Sequence, residues 1–459
     1  MHGAAYTARV TDTLAQLSDV LGDIVSTAPA DLEASRADKS GHVSAGAPLA
    51  VVHARTIEDV QATLRFATET RTPVVTRGAG TGLAGGAIAS AGELVLSTSR
   101  MTSILEIARD DELAVVQPGV INADLNTALE PTGLWFAPDP ASRAISTIGG
   151  NIATNAGGLL CAKYGVTRES VLGLKVVLAD GRLMEFGHRT VKGVTGLDLA
   201  GLMIGSEGTL GVIVEATVKL QALPSGIAAT IGAHFASVEA AARAASVITA
   251  SGIRPSIMEL LDPHAMRAIG EFLDLEVREG QSYLLVQTDG QGAAAEAEAA
   301  LSVIRSLGGD AELTTDPEQS ARLFGMRRAF HPSMEARGTV LIEDVCVPRS
   351  ALPSMFAAID TVAAKYGVTI ATVAHAGDGN LHPNFVFEGT EVPPEVWQAA
   401  DEMFLAALRL GGTLTGEHGV GLLKRRWLGD ELGADQLELQ RDIKRVFDPL
   451  GILNPGKVF

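Results

Sequence analysis

Cysteine is nearly missing from this chain. Two residues, Cys161 and Cys346, stand among 459, which excludes a disulfide framework and any four-cysteine iron–sulfur cluster built by this chain alone. Both lie in mainly apolar contexts, as buried thiols do. Aromatics are scarce at 4%, too few for a platform that stacks the bases of RNA or single-stranded DNA. Positive charge is in deficit. Lys+Arg 36 against Asp+Glu 54 leave a formal net charge of −18, which disfavours nonspecific binding to nucleic acid or anionic lipid. An acidic substrate would need a local patch of the opposite sign. No uninterrupted apolar run reaches about 18 residues, so no membrane span is expected. Near the N-terminus Asp12, Asp19 and Asp23 interrupt the stretch where a secretory signal would place its apolar core. The expectation is a cytoplasmic location.

What is present is a chain long enough for two or three domains, 46% hydrophobic and with 50 glycines. A helix is predicted from near Thr7 to Ile24, then a polar stretch from Ala34 to Gly46, so residues 1–45 form an N-terminal helical segment. From there strand and helix alternate. Leu49–His53 is a short apolar strand. Thr56, with Asp59 three residues on, starts a helix that runs to about Glu69. Pro73–Thr76 is a second strand that empties into glycines. Short β runs follow at Leu94–Ser97, Ala114–Gln117, Leu174–Leu178 and Val212–Leu220, and Asp180–Gly181 marks a tight turn. After Pro224–Gly226 the texture changes to Ala-rich helices (Val238–Ser251, Ala293–Leu307) and strands (Tyr283–Gln287, Val340–Val347, Thr369–Val373). The reading is α+β, with domains at 46–223 and 224–459 and no tandem repeat.

Three glycine-rich segments carry chemistry: Thr76–Ala87, Ser146–Gly158 and Ile204–Ile213. Glycine lets backbone turn at positive φ and lets amides approach an anion closely, and successive amides form a nest suited to pyrophosphate. The first loop is no P-loop, since no Gly-Lys-Ser/Thr follows, and it contains no clean GxGxxG. One such loop is also what a tight turn of small residues looks like; three in one domain are harder to dismiss.

A second signal lies in "HAGDGNLHPN" and "TGEHGVG". With Asp378–Gly379 at the tip of a two-residue hairpin, His375 faces His382, with Cβ atoms about 5 Å apart. A looser loop would still bring the rings near each other. Glu417 is the natural third ligand. Two His and a carboxylate suit Zn²⁺ with open positions, and ligand type alone also admits Mn²⁺ or Fe²⁺. If its segment is extended, His418 points to the other side, where it could act as a base. Asp316, Pro317 and Gln319 begin a helix that carries Arg322, Arg327 and Arg328, and an arginine fork orients a carboxylate well.

"PVVTRGAGTGLAGG", "PDPASRAISTIGGNIATNAGG", "KYG" and "GLMIGSEGTLGVI" together resemble the FAD domain of the vanillyl-alcohol oxidase/p-cresol methylhydroxylase superfamily. The C-terminal motifs, closed by "DPLGILNPGKVF", resemble its D-lactate, glycolate and D-2-hydroxyglutarate dehydrogenase branch. The resemblance implies a PCMH-type FAD domain of two α+β subdomains. It further implies a C-terminal α+β substrate domain with an antiparallel sheet, whose tail, 445–459, packs back on the FAD domain. The FAD contacts it implies are Arg77, Gly78, Ala79, Gly80, Thr81 and Gly82 for the pyrophosphate, and Pro138, Ser142, Gly149, Asn151, Thr154 and Asn155 along the pyrophosphate and isoalloxazine. Glu207, Gly208, Leu210 and Ile213 would serve the adenosine end, with Asn454 in the tail. Some relatives bind flavin covalently through a His in the first loop; Thr81 stands there, implying noncovalent FAD.

The same resemblance implies His375, His382 and Glu417 as metal ligands, His418 as base, Asn384 as a substrate contact and Arg327 as the carboxylate-binding arginine. The implied reaction oxidises a small D-2-hydroxy acid to the 2-oxo acid, with hydride passing to flavin N5. Relatives specific for D-2-hydroxyglutarate carry a Lys where this chain has Ile342, beside Glu343. D-lactate therefore leads and glycolate follows. D-2-hydroxyglutarate, the FAD subunit of a glycolate oxidase complex, and an alkylglycerone-phosphate synthase-like transferase are the alternatives. Electrons would leave to a quinone, an electron-transfer flavoprotein or a partner subunit. A homodimer is compatible with the sequence; no nucleic-acid partner is expected.

Overall fold

The computed structural model describes the backbone of residues 2–389 and 391–459, with side chains from Thr11 onward. They form two compact units: described residues 2–158, 165–223 and 417–459 in one, and 159–164, 224–389 and 391–416 in the other. The chain thus rejoins the first unit at Glu417, well ahead of the tail at residue 445.

The first unit opens with α1 (His2–Leu21) and the short β1 (Val25–Ser26). Next come β2 (Ala50–His53), α2 (Ile57–Thr70), β3 (Val74–Arg77) and β4 (Leu94–Ser97), in the sheet order β1-β2-β4-β3. Helix α2 begins where the sequence signals it. Asp59 N–H donates to Thr56 Oγ1 at 3.2 Å, and the Thr56 N–H donates back to Asp59 Oδ2 at 3.1 Å. Strands β2, β3 and β4 run parallel and are buried, which explains their continuous apolar runs. A second sheet is antiparallel: β5 (Ile104–Ala108), β6 (Leu113–Val116), β7 (Val171–Val177), β8 (Leu183–Gly187) and β9 (Val212–Lys219), in the order β5-β6-β9-β7-β8. Between β6 and β7 lies the short helix α3 (Ile148–Thr154), capped by Thr147 Oγ1, which accepts from Gly150 N–H at 3.2 Å. Ile148 and Ile152 of α3 pack with Leu210 and Ile213 in the core of this sheet.

The second unit is one large antiparallel sheet with helices. Its strands are β10 (Ala229–Phe235), β11 (Ile257–Leu261), β12 (Ser282–Thr288), β13 (Asp310–Thr314), β14 (Thr339–Ile342), β15 (Val345–Cys346), β16 (Thr369–His375) and β17 (Asn380–Phe387). The order is β13-β10-β12-β11-β16-β17-β14, with β15 also paired to β17. Helices α4 (Pro263–Leu273) and α5 (Pro317–Glu335) cover one face, where Met266, Ile269, Phe330 and Met334 pack on Leu261, Tyr283, Leu285 and Val373. Because side chains alternate along a strand, Glu259 shares the face of Leu261, and His375 shares the face of Val373.

Two sequence expectations are corrected here. The stretch expected as one strand over Val340–Val347 is split into β14 and β15. Glu343 N–H donates to the Pro383 carbonyl at 3.0 Å, but Pro383 has no N–H to return, so the ladder lapses there. The hairpin is likewise not a two-residue turn. His375 pairs with Asn380, and His382 pairs with Val373, leaving a four-residue loop from Ala376 to Gly379. A two-residue I′ turn needs positive φ at both central positions. Gly379 has φ +94, whereas Asp378 is not among the positive-φ residues. A slip of two, unlike a slip of one, keeps every side chain on its face, so the two imidazoles remain neighbours.

Gly379 is irreplaceable on two counts: its positive φ, and a Cβ there would collide with the Val347 carbonyl oxygen. Gly379→Ala should therefore cost about 2–3 kcal/mol, read as a lower urea midpoint; an unchanged midpoint would refute this account of the turn.

Candidate functional site

In the first unit two of the three glycine segments leave buried polar atoms unsatisfied. Thr76 Oγ1, Ser146 Oγ and Asn151 Nδ2 are buried and lack a hydrogen-bond partner among the described residues. A Cβ on Gly149 would lie 2.5 Å from the Pro118 Cβ, and one on Gly78 would strike Thr147 Oγ1. Here the backbone runs close to its neighbours with its amides bare of side chains. Orphaned hydroxyls and an orphaned amide beside glycine backbone fit a large polar cofactor such as a dinucleotide. Other residues of the implied FAD set bond within the protein. Thr154 Oγ1 donates to the Gly150 carbonyl at 3.2 Å, and Asn155 Oδ1 accepts from Arg168 N–H at 2.9 Å. The Arg77 guanidinium donates to the Ala87 and Ala34 carbonyls at 2.8 and 3.0 Å.

Glu207 and Asn454 do something the sequence did not suggest. The Glu207 carboxylate accepts from Val420 N–H at 2.7 Å and Gly421 N–H at 2.9 Å, and Gly419 lies against it. Glu207 itself sits at φ +50. Burial drives its pKa up to about 7, against the two amide bonds and the charges of Lys424 and Lys457, which pull it down. Asn454 Nδ2 donates to the Gly86 carbonyl at 3.0 Å and the Glu207 carbonyl at 2.6 Å, while its Oδ1 accepts from Lys457 Nζ at 2.6 Å. The segment 417–423 is thereby stitched to the glycine loops: Leu422 N–H donates to the Ala84 carbonyl at 2.8 Å. At the head of that segment, a Cβ on Gly157 would lie 2.5 Å from Glu417 Oε2. His418 Nε2 is 3.8 Å from Glu417 Oε1.

The second unit supplies the histidines. Their rings stand edge to face, with centroids 5.0 Å apart at 82°. One ligand atom each from His375, His382 and Glu417 lies within 4.8 Å of the others. Glu417 follows directly on Gly416, whose N–H donates to Asp344 Oδ2 at 3.0 Å; Thr415 Oγ1 donates to the same oxygen at 2.6 Å. The donor set of two imidazoles and a carboxylate fits a divalent cation.

Each histidine has an acid across the ladder. Glu259 pairs with His375 between β11 and β16, and Glu259 Oε1 is 2.6 Å from His375 Nδ1. Its other oxygen accepts from Arg327 Nε at 2.7 Å. Burial alone would raise the Glu259 pKa, but His375 and Arg327 outweigh it and hold the group below the usual carboxylate range. On the other side Ile342 faces Asn384 and Val345 faces Leu381, so the same register sets Asp344 opposite His382. Asp344 Oδ1 lies 3.9 Å from His382 Nδ1. Asn384, two residues past His382 on the same face, donates from Nδ2 to the His382 carbonyl at 2.8 Å; its Oδ1 is buried without a partner among the described residues.

Of the three helix arginines only Arg327 turns to this cluster. Arg322 pairs with Glu312, and Arg328 donates to the Ala321 carbonyl. Glu259 was missed, although a signal existed: an acid inside the apolar strand run "IMELL" is costly unless it is paired.

Two family assignments cover most of the chain. Residues 48–187 match the FAD binding domain, and residues 227–458 match the C-terminal domain of FAD linked oxidases. The chain belongs to the FAD-linked oxidases.

Among relatives of this FAD-linked oxidase, the glycolate oxidase subunit GlcD of Bacillus subtilis (strain 168) is 40% identical over 419 residues, covering 90% of this chain and 89% of that protein. D-lactate dehydrogenase of Archaeoglobus fulgidus is 38% identical over 414 residues, covering 89% and 90%. In fold, the chain resembles p-cresol methylhydroxylase with substrate bound, with a TM-score of 0.77 at 18% identity over 98% of this chain and 97% of that one. Alkyldihydroxyacetonephosphate synthase gives a TM-score of 0.74 at 19% identity, over 97% and 84%. The oxidase therefore has the PCMH-type α+β fold, and it is an FAD-linked oxidoreductase. Among the described residues no helix is long and apolar enough to cross a membrane.

The buried Glu207 of this oxidase has a testable pH signature. Its folded pKa of about 7 exceeds the unfolded value near ~4.3. The stability it contributes is complete below the unfolded value and is lost as pH rises through the folded one. Urea midpoints measured from pH 4 to 8 should show the protein losing ground to Glu207→Gln as pH rises. A difference constant with pH would contradict this.

Proposed function

We propose that this oxidase converts a small D-2-hydroxy acid, D-lactate or glycolate, to the corresponding 2-oxo acid. The observation that carries the reading is the convergence of His375, His382 and Glu417 within 4.8 Å, with His418 following in sequence and Glu417 lying over Gly157 of the glycine loop. The names of the Bacillus and Archaeoglobus relatives support the same class of substrate.

The first unit holds noncovalent FAD along its three glycine segments; Thr76, Ser146 and Asn151 offer it their unsatisfied atoms. His375, His382 and Glu417 hold a divalent cation, Zn²⁺ by donor type. When bound, FAD takes up a hydride and the metal lowers the pKa of a hydroxyl it holds. The chain's own residues do the rest. His418 removes the substrate hydroxyl proton as general base. Arg327, anchored through Nε, keeps its terminal donors for the substrate carboxylate. Asn384 has its Nδ2 committed, so its buried Oδ1 requires a donor, which a hydroxyl supplies and a carboxylate does not. Ile342 opposite Asn384, and buried Glu343 beside it, offer no cation to a second carboxylate, which favours a short acid. Electrons then leave to a separate acceptor: a quinone, an electron-transfer flavoprotein or a partner subunit. The word "subunit" in the Bacillus relative's name supports the last.

Mixed anaerobically with D-lactate or glycolate, the yellow protein should bleach, and D-2-hydroxyglutarate should bleach it at least tenfold more slowly. Bleaching by D-2-hydroxyglutarate alone would overturn the substrate assignment. His418→Gln should keep its flavin and metal while kcat falls about 10²–10⁴-fold; a variant as active as the parent removes His418 from the chemistry. Dialysis against a strong chelator should abolish bleaching and Zn²⁺ should restore it, whereas activity indifferent to chelation would end the metal reading.

A further inference from the structure

We infer that Glu259 is a positioning residue shared by the metal and the substrate: one carboxylate sets His375 as an Nε2 ligand and aims Arg327. The inference rests on the metal reading above and goes beyond it in tying both partners to one buried acid.

Glu259 is 1% exposed, in the middle of a strand whose five residues are all buried. A carboxylate there is tolerated only when each oxygen finds a donor, and each does. Oε1 lies 2.6 Å from His375 Nδ1, and Oε2 accepts from Arg327 Nε at 2.7 Å. The first contact decides chemistry. A carboxylate only accepts, so Nδ1 must carry the proton, and Nε2 is left as the lone-pair donor to a cation. The second decides geometry. Arg327 is a long, half-buried side chain, and fixing it at Nε leaves both terminal nitrogens free to form a fork for a carboxylate. Glu259 therefore couples the two. A shift of the His375 ring moves the acid that aims the arginine.

Asp344, across the ladder from His382, does not match this. Its oxygen stands 3.9 Å from the imidazole, and its other oxygen serves Thr415 and Gly416. The assignment is to Glu259 alone.

Glu259→Gln separates the coupling from simple packing. Glutamine keeps the shape and can still accept from Nδ1–H, but it then turns an NH₂ toward Arg327 Nε–H, donor against donor. In the full chain with FAD bound, Zn²⁺ affinity from competition with a chromogenic chelator should fall 10–100-fold. The KM for D-lactate should rise at least tenfold, while flavin content holds. Arg327→Lys, which leaves His375 its acid, should raise KM but change Zn²⁺ affinity less than threefold. Glu259→Gln that binds Zn²⁺ as tightly as the parent overturns the inference and spares the metal reading. A parent chain that takes up no Zn²⁺ sinks both. Should Glu259→Gln fail to fold, Glu259→Asp, with the carboxylate drawn back by one methylene, must show the same loss of Zn²⁺ affinity, and parental affinity there overturns the inference.

Discussion

The second unit is organised around a charge that cannot stand alone. Glu259 lies in the interior of a central strand, where an unpaired carboxylate would cost several kcal/mol, and two donors must reach it. One comes from the next strand in the sheet and the other from the helix lying on that face. Once the β11–β16 ladder has its register and α5 its seat, the acid, the imidazole and the guanidinium have nowhere else to go. His382 and Asn384 then follow from the β16–β17 pairing, because residues two apart on a strand share a face.

The first unit solves a different problem. Its glycine segments bring bare backbone together, and bare backbone left to itself is floppy. The stiffness comes from the far end of the chain. Glu207, Asn454 and Lys457 form a short buried network that staples residues 417–423 and the C-terminal turn onto the loops. Sequence distance hides this arrangement: the bonds join residues more than 200 positions apart.

Legibility from sequence followed range. Local signals read well: the Thr56–Asp59 cap, the Asp180–Gly181 turn and the Ala-rich helices carry their own instructions within a few residues. The meeting of His375, His382 and Glu417 was legible too, since a His-rich hairpin and a Glu-His pair announce themselves by type. The hairpin register was read two residues off because a turn's length depends on what the turn packs against, here the Val347 carbonyl. The break between β14 and β15 depends on Pro383 in another strand, and no inspection of residues 340–347 alone would reveal it. Glu259 escaped notice because its meaning lies in partners 68 and 116 positions away.

The four-residue turn from Ala376 to Gly379 also sets a rule for divergence. Sliding β17 past β16 by one residue would carry His382 and Asn384 to the opposite side of the sheet, away from His375, whereas a slide of two would preserve their aspect. Any remodelling of the turn that keeps the two imidazoles together must thus leave that pairing in place or move it in even steps, a parity rule imposed by strand geometry alone.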